Sequence, residues 1–130
     1  MESLREISCT ACAGAEPNVM YENLPQFSGV AIIFESHFTV HVFNCSECSQ
    51  GWVMVWIEVI DWEEGRDPTY TSIVPITDIE FQELIAQGKD VSTDYIAELG
   101  QTRRWLMRDH TDGKTRVRWV DGHLRFCAPG

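Results

Sequence analysis

Two Cys-x-x-Cys pairs place the strongest constraint on how this chain can fold. They are Cys9 with Cys12 and Cys45 with Cys48. Four thiolates delivered as two such pairs are a common ligand set of tetrahedral structural zinc sites. A shell of four cysteines leaves no open coordination position for a substrate. The pattern therefore predicts a zinc ion (Zn²⁺) that holds the fold together and takes no part in chemistry.

Two other interpretations of the cysteines remain open. A redox-active dithiol has the same spacing, but its reactive cysteine normally lies at a helix N-terminus, where the pKa of the thiol is lowered. Cys45 follows a predicted strand instead, which makes redox chemistry the weaker interpretation. In the other alternative the four cysteines bind nothing. The fifth cysteine, Cys127, is expected to be a small buried apolar residue.

Length and composition predict a single folded domain, residues 1–130, since 44% of the residues are hydrophobic. No stretch approaches the roughly 20 apolar residues that a membrane-spanning helix needs. The N-terminus lacks the basic flank and apolar run of a signal peptide. We therefore expect a cytoplasmic protein without a membrane association, in which paired cysteines bind metal and do not form disulfides.

The charge of the chain is strongly negative and unevenly distributed. Its 20 acidic and 10 basic residues give a formal net charge of −10. Residues 1–102 hold 17 acidic and three basic residues, whereas residues 103–130 hold three acidic and seven basic ones. A negative field of this kind repels nucleic acid and attracts basic partners. The charge predicts a basic protein as partner and disfavours nucleic acid.

The middle of the chain carries strand patterns. Residues 30–34 are a short apolar run, residues 38–43 alternate in polarity, and residues 70–75 form another short strand pattern. Residues 52–62 are apolar on both faces, as in a central strand that is covered on two sides. Residues 45–51 would then join two antiparallel strands. This places the second cysteine pair at a hairpin tip, as in a zinc ribbon.

Helix signals follow these strands. Thr77 and Glu80 match a capping box, the apolar residues after them recur at helical spacing, and Gly88 can supply the C-terminal cap. Ser92 or Thr93 can cap a second helix of about two turns. Both helices would be short.

The C-terminal segment predicts a three-stranded meander. Strand patterns over 103–109, 114–120 and 123–127 are separated by Asp112-Gly113 and Asp121-Gly122, dipeptides typical of tight hairpins. The N-terminal quarter, by contrast, is predicted to be loop-rich. Together the patterns predict an α+β fold, in which a mainly antiparallel sheet with one or two short helices is stapled by a zinc-ribbon-like pair of knuckles.

An acidic cluster lies at the end of the predicted central strand and in the residues that follow it. Its members, which we predict to contact a basic partner, are Glu58, Asp61, Glu63, Glu64 and Asp67. Such a cluster can dock a basic protein without any tuning of its pKa values, but it can also be a solvated turn, an acid–base pair or a magnesium site. Neither an open metal site nor a matched acid–base pair can be assigned. We therefore expect no enzymatic activity and name no catalytic residue.

Two further groups have both a functional and a structural interpretation. His37 and His41 share one side of an extended segment and can ligate a metal, but no third ligand is evident. Arginines alternate with aromatic residues in the C-terminal meander, a pattern that binds single-stranded nucleic acid and that a half-buried sheet also produces. Arg116 and Arg118 can instead neutralise the acidic part of the chain. A zinc-ribbon module that contacts nucleic acid through this meander is the alternative function.

Four features of the chain occur together in a known class of proteins. They are small size, an acidic excess, a closing arginine–tryptophan meander, and a capped helix preceded by the run Trp56-Ile-Glu-Val-Ile-Asp-Trp-Glu-Glu-Gly-Arg-Asp-Pro68. In these features the chain resembles the small acidic immunity proteins that bacteria encode beside secreted polymorphic toxins. The resemblance implies a non-enzymatic protein that neutralises a cognate toxin domain, often a basic nuclease or deaminase. The resemblance assigns no site residue in this chain. The cysteine pairs are a difference from these families, because most of them bind no zinc.

Overall fold

Alternating apolar and polar residues build one antiparallel sheet of six strands. The computed structural model describes residues 9–60 and 62–126, so Asp61 and Cys127 lie outside the described residues. The elements follow in the order α1 (Pro17–Asn23), β1 (Ser28–Glu35), β2 (Phe38–Asn44), β3 (Gly51–Glu58), β4 (Thr69–Ile76), α2 (Asp78–Gln87), α3 (Thr93–Leu99), β5 (Arg104–Thr111) and β6 (Lys114–Asp121). Short 3-10 turns lie at Leu24–Gln26 and Gly88–Asp90.

Each strand pairs with the next one along the chain, so the sheet order is β1-β2-β3-β4-β5-β6. The β2–β3 pair runs from Phe38 opposite Ile57 to Asn44 opposite Gly51. The second cysteine pair therefore lies at a hairpin tip, as the sequence predicts. The predicted α+β class with a mainly antiparallel sheet is confirmed. In the described part of the chain three short helices accompany the sheet, whereas the sequence predicts one or two.

Both faces of the sheet are covered, which explains the run of apolar residues in β3. Val53 and Val55 point to the helix face, where they pack with α2 and α3 residues such as Leu84. Trp52 points to the opposite cysteine face, where it packs with Cys12, Met20 and other residues of segment 9–27. We call α2 and α3 the helix layer and residues 9–27 the N-terminal layer. The predicted central strand is confirmed, although it ends at residue 58 and not at 62.

The helix layer begins with the predicted capping box. The Thr77 hydroxyl accepts a hydrogen bond from the Glu80 amide at 3.1 Å, and the Glu80 carboxylate accepts one from the Thr77 amide at 2.9 Å. Gly88 ends α2 with a φ of 55°, in the left-handed region that glycine adopts without a steric penalty. Ser92 caps α3 by accepting from the Asp94 amide. Both predicted helices are confirmed.

The N-terminal layer contains a helix, α1, where the sequence predicts loop. Pro17 stands at its start. Proline costs no hydrogen bond there, because the amides of the first helical turn have no acceptor within the helix. No side chain caps α1, but Met20 on its inner side is fully buried against the sheet. Tertiary packing therefore stabilises α1, and a seven-residue segment with one buried residue gives little periodicity from which to predict it.

The C-terminal meander has two strands among the described residues, so the prediction of a third strand from residue 123 is wrong. Gly122 and His123 both adopt positive φ, 68° and 57°, and turn the chain away from β6. The Leu124 amide then donates to the carbonyl of Gly100 at 3.3 Å, and the Leu124 side chain is buried in the core of the helix face. The Asp121-Gly122 pair thus marks a turn, but the chain beyond it closes over the end of α3.

Candidate metal centre

Each cysteine pair lies in a tight backbone turn. In the first pair the amides of Cys12 and Gly14 both donate to the carbonyl of Cys9, at 3.2 and 2.7 Å. In the second pair the Cys45 amide donates to the Gln50 carbonyl, and its own carbonyl accepts from the amide of Ser49, which adopts a φ of 67°. These turns bring the two sulfurs of each pair to the same side of the backbone, as zinc knuckles do.

The fold brings the two pairs together, although 32 residues separate them in sequence. The Sγ atoms of Cys9 and Cys45 are 3.9 Å apart, those of Cys12 and Cys48 are 3.6 Å apart, and all four lie within 4.8 Å of one another. Four sulfurs placed tetrahedrally at about 2.3 Å from a zinc ion are about 3.8 Å apart, whereas a disulfide needs about 2.05 Å. The cluster is therefore able to hold one metal ion.

The environment of the thiols affects how the cluster could bind a cation. Cys12 and Cys45 are buried. Burial raises the pKa of the Cys12 and Cys48 thiols. Burial acts in the same direction on the pKa of the Cys9 thiol, but the Ala11 amide and the neighbouring sulfurs outweigh it and lower that pKa. Four thiolates this close would repel one another, so without a cation some of the thiols stay protonated. A metal ion that binds all four sulfurs would therefore displace protons.

The local structure also weighs against redox chemistry at this centre. Cys45 directly follows β2 and Cys48 lies in the hairpin, so neither occupies a helix N-terminus. The nearest downstream helix of the first pair begins at Pro17, five residues after Cys12. Nothing in these positions supplies the helix dipole that lowers the pKa of a catalytic thiol.

The acidic cluster lies at the other end of the sheet. The loop after β3 begins beyond Glu58, seven residues from the strand end that adjoins the cysteines, which at about 3.3 Å per residue is a separation of over 20 Å. The described members of the cluster, Glu58, Glu63, Glu64 and Asp67, all belong to this end, and Asp61 lies outside the described residues.

Glu58 and Glu64 both contact basic side chains. Glu58 is 2.7 Å from the Nδ1 atom of His37, which stands in the turn between β1 and β2. Glu64 lies 3.3 Å from Arg66, which also contacts Asp112 of the β5–β6 turn at 3.3 Å. The β1–β2 turn, the β3–β4 loop and the β5–β6 turn therefore meet at this end of the sheet, which remains predominantly acidic.

His37 and His41, considered in the sequence as metal ligands, do not form a site. His37 pairs with Glu58, whereas His41 stands within β2, where burial lowers the pKa of its imidazole. Among the residues that the structure describes, the four cysteines are the one group of three or more side chains able to hold a metal ion.

An exposed tryptophan in the acidic loop was not singled out in the sequence. Trp62 is 85% exposed and is followed directly by Glu63 and Glu64. The sequence signal for this exposure was the position of Trp62, because an aromatic residue inside a charged turn does not fit the alternating core pattern of a strand. We call the surface formed by Glu58, Trp62, Glu63, Glu64 and Asp67 the acidic end.

Two arginines of the C-terminal meander contact aromatic residues of this chain. The guanidinium carbon of Arg104 lies 4.1 Å from the centre of the Trp119 ring, and that of Arg108 lies 4.9 Å from the centre of the Tyr21 ring. Arg104 also donates to the carbonyl of Ala13 at 2.8 Å. These side chains thus attach the N-terminal layer to the sheet, which supports the structural interpretation of the arginine–aromatic pattern.

Comparison with family models, with curated proteins and with solved structures returns no significant match. Among the described residues, no helix is both long and apolar enough to cross a membrane.

Proposed function

We propose that this chain is a zinc-stabilised, non-enzymatic binding protein that neutralises a basic protein partner through its acidic end. The observation that carries the proposal is the exposed Trp62 beside carboxylates, at the end of the sheet away from the cysteines. The proposal has two parts, the metal and the binding surface, and each has its own test.

Zinc is the metal that the ligand set favours. Thiolate ligands in a tetrahedral arrangement select zinc or iron, and zinc is the usual ion of small domains held by two knuckles. With all four positions occupied by Cys9, Cys12, Cys45 and Cys48, the ion would supply no Lewis-acid chemistry. Its role would be to join the N-terminal layer to the β2–β3 hairpin. Elemental analysis of the purified protein should find one zinc per chain, and one iron or no metal would contradict this part.

The acidic end combines two properties of a protein-binding surface. Its carboxylates would accelerate encounter with a basic partner, because charge complementarity acts mainly on the association rate. Trp62 would contribute to the lifetime of the complex, because tryptophan is enriched among residues whose truncation costs most binding energy. A side chain this large and 85% exposed leaves apolar surface in water that a partner would cover.

A toxin domain that acts on nucleic acid is the partner class that suits this surface. Such a domain binds a polyanion and therefore carries a basic active-site surface. An acidic protein with a protruding aromatic residue would compete for that surface. This matches the resemblance to immunity proteins and requires no catalytic group on this chain.

The experiment uses the protein encoded beside this chain as the binding partner. Association and dissociation rates would be measured at low and high salt for the wild type, for the double variant Glu63→Lys/Glu64→Lys and for Trp62→Ala. We expect the double variant to associate at least about tenfold more slowly at low salt and Trp62→Ala to dissociate faster.

The matched control has the same change in net charge at other surfaces. Glu22 on α1 and Glu98 on α3 are both exposed and lie outside the acidic end. The variant Glu22→Lys/Glu98→Lys should keep the association rate within about threefold of the wild type. Equal slowing by both double variants would contradict a local docking surface. Salt-dependent binding of single-stranded DNA or RNA that Arg116→Glu/Arg118→Glu abolishes would favour the nucleic-acid function instead.

A further inference from the structure

Among the described residues, β1 and β6 are the two edge strands of the sheet, and they differ in how they are protected from further strand pairing. β6 carries Lys114, Arg116 and Arg118, charges of the kind that block edge-to-edge association. Residues 28–34 of β1 carry no charge, and Val30 and Phe34 are 50% and 84% exposed. An exposed apolar edge strand is a template on which another strand can pair.

The register of β1 against β2 assigns its side chains to the two faces. Gly29, Ala31 and Phe34 lie opposite Phe43, His41 and Thr39 and therefore belong to the cysteine face. Val30 and Ile33 lie opposite Val42 and Val40 and belong to the helix face. The pairing shifts by one residue between Ala31 and Ile33, so Ile32 is a bulge.

A groove of about 350 Å³ opens beside this edge on the cysteine face. Its lining is mainly apolar and comprises Leu24, Pro25, Phe27, Gly29, His41, Phe43 and Met54. The centres of the Phe27 and Phe43 rings are 5.7 Å apart. Gly29 is exposed at the edge and lies so close to β2 that a β-carbon there would be 2.6 Å from the β-carbon of Phe43. A side chain from an added strand could therefore cover Gly29 and contact both rings.

We propose that the occupant of this edge is β1 of a second copy of the chain. Two β1 strands related by a two-fold axis normal to the sheet can pair antiparallel along their whole length, with same-face residues opposite each other. Ala31 then lies opposite Ala31 of the second copy, Gly29 opposite Phe34, Val30 opposite Ile33, and Ser28 opposite Glu35. The result is a continuous sheet of twelve strands, with the ladder interrupted at Ile32 in each copy.

The self-complementary pattern of β1 favours a second copy over another occupant. The one aromatic residue of β1, Phe34, is 84% exposed and would lie opposite Gly29, the one residue of the strand without a side chain. The two-fold symmetry forms this contact twice. An aromatic ring across from an edge glycine covers exposed backbone and stabilises the pair. On the other face, the half-exposed Val30 extends the core that contains Ile33.

The negative charge of the chain does not oppose this pairing locally. Glu35 is the one acidic residue of β1, and each copy places it opposite the neutral Ser28. The two Glu35 carboxylates would stand about 20 Å apart at 3.3 Å per residue, beyond the Debye length of about 8 Å at physiological salt. The proposal is independent of the partner that the acidic end binds.

The test is the oligomeric state of the full chain, measured by sedimentation equilibrium between about 1 and 500 μM. We expect a dimer whose dissociation constant rises at least tenfold in Phe34→Lys and in Val30→Lys. Because each substitution reduces the net negative charge, a general electrostatic effect would strengthen association, so weakening points to the edge itself. Val19→Lys, which also places a lysine at an exposed apolar position, on α1, is the matched control.

Hydrogen exchange gives a second readout that does not depend on folding of the variants. In the wild type the amides of β1 should become more protected as concentration rises, while those of β6 should not change. A monomer at all concentrations, or a dimer that Val19→Lys weakens as much as Phe34→Lys does, would overturn the proposal. Protection of β1 that appears only on adding a basic partner would also overturn it and would make the partner's strand the occupant.

Discussion

The two layers that cover the sheet are stabilised in different ways. The helix layer begins with a reciprocal capping box at Thr77 and Glu80 and buries Leu84 and Ile96 against the sheet. The N-terminal layer has one seven-residue helix without a side-chain cap, and it includes two of the four clustered cysteines. Helices of this length are not stable on their own, so the second layer depends on distant contacts.

Two hydrogen bonds from the sheet make such distant contacts in addition to the cysteines. Arg104 of β5 donates to the carbonyl of Ala13, and the Trp119 indole of β6 donates to that of Ala15 at 2.9 Å, from about 90 residues or more away in sequence. Within the layer itself, the Asn23 amide donates to the carbonyl of Ala11 at 3.0 Å. The helix layer is therefore specified largely by its own sequence, whereas the N-terminal layer depends on contacts with the rest of the molecule.

Metal removal should give the largest difference between the two layers. We expect Cys12→Ser, or a strong chelator acting on the wild type, to reduce the free energy of unfolding by at least about 3 kcal/mol. This is a fraction of the roughly 10–16 kcal/mol that structural zinc contributes in zinc-finger peptides. Hydrogen exchange should show amides of the N-terminal layer losing protection while α2 keeps most of its own.

The control for this prediction damages the other layer. Leu84→Ala removes a fully buried side chain of α2 and should cost about 2–5 kcal/mol through the cavity that it leaves. The metal content of this variant should stay that of the wild type, and chelator should destabilise it by the same further amount. Identical melting of the wild type with and without chelator would contradict a structural role of the cluster.

A pH titration should affect the helix layer through one ion pair. Arg103 donates two hydrogen bonds to the Glu80 carboxylate, at 2.7 and 2.8 Å. Burial alone would raise the pKa of Glu80, but the bonds from Arg103 and the Thr77 amide outweigh it and hold that pKa below its ordinary value of 4.5. The pair therefore stabilises the fold fully above about pH 4.5, and this contribution is lost as the pH falls through the lowered pKa.

Glu80→Gln tests this pair by urea unfolding at several pH values. The variant keeps an oxygen that can accept from the Thr77 amide, so the capping geometry is retained while the charge is removed. We expect it to be less stable than the wild type by about 1–2 kcal/mol at pH 7, with the difference shrinking below pH 4.5. A difference that stays constant down to pH 3 would show that the charge of Glu80 contributes nothing.

The same contrast explains what the sequence could predict. The capping box, the Asp112-Gly113 hairpin with φ values of 51° and 75°, and the turn of each cysteine pair are local signals, and all three are where the sequence places them. The helix α1 and the path of the chain after Gly122, where the Leu124 amide donates to the carbonyl of Gly100, depend on residues far away in sequence. Local patterns therefore could not specify them.

The candidate site divides in the same way. The cysteines carry the spacing of their chemistry in the sequence, so their meeting could be predicted before the fold was known. The pairing of Glu58 with His37 and the exposure of Trp62 depend on which turns meet at one end of the sheet. The edge of β1 could not be recognised either, because a strand pattern does not indicate whether the strand has one neighbour or two.

Two matched tryptophan substitutions should have the smallest effect, and they test whether the two layers are stabilised separately. Trp119→Phe keeps an aromatic ring beneath Arg104 but removes the donor to Ala15, and Trp105→Phe likewise removes a donor, at 2.8 Å from the Gly122 carbonyl. Each lost hydrogen bond should cost about 1 kcal/mol in urea unfolding, plus a small packing term. Hydrogen exchange distinguishes them, because only Trp119→Phe should reduce protection of the N-terminal layer. Equal loss of protection there in both variants would mean that the two layers unfold as one unit, and that the N-terminal layer has no separate stability of its own.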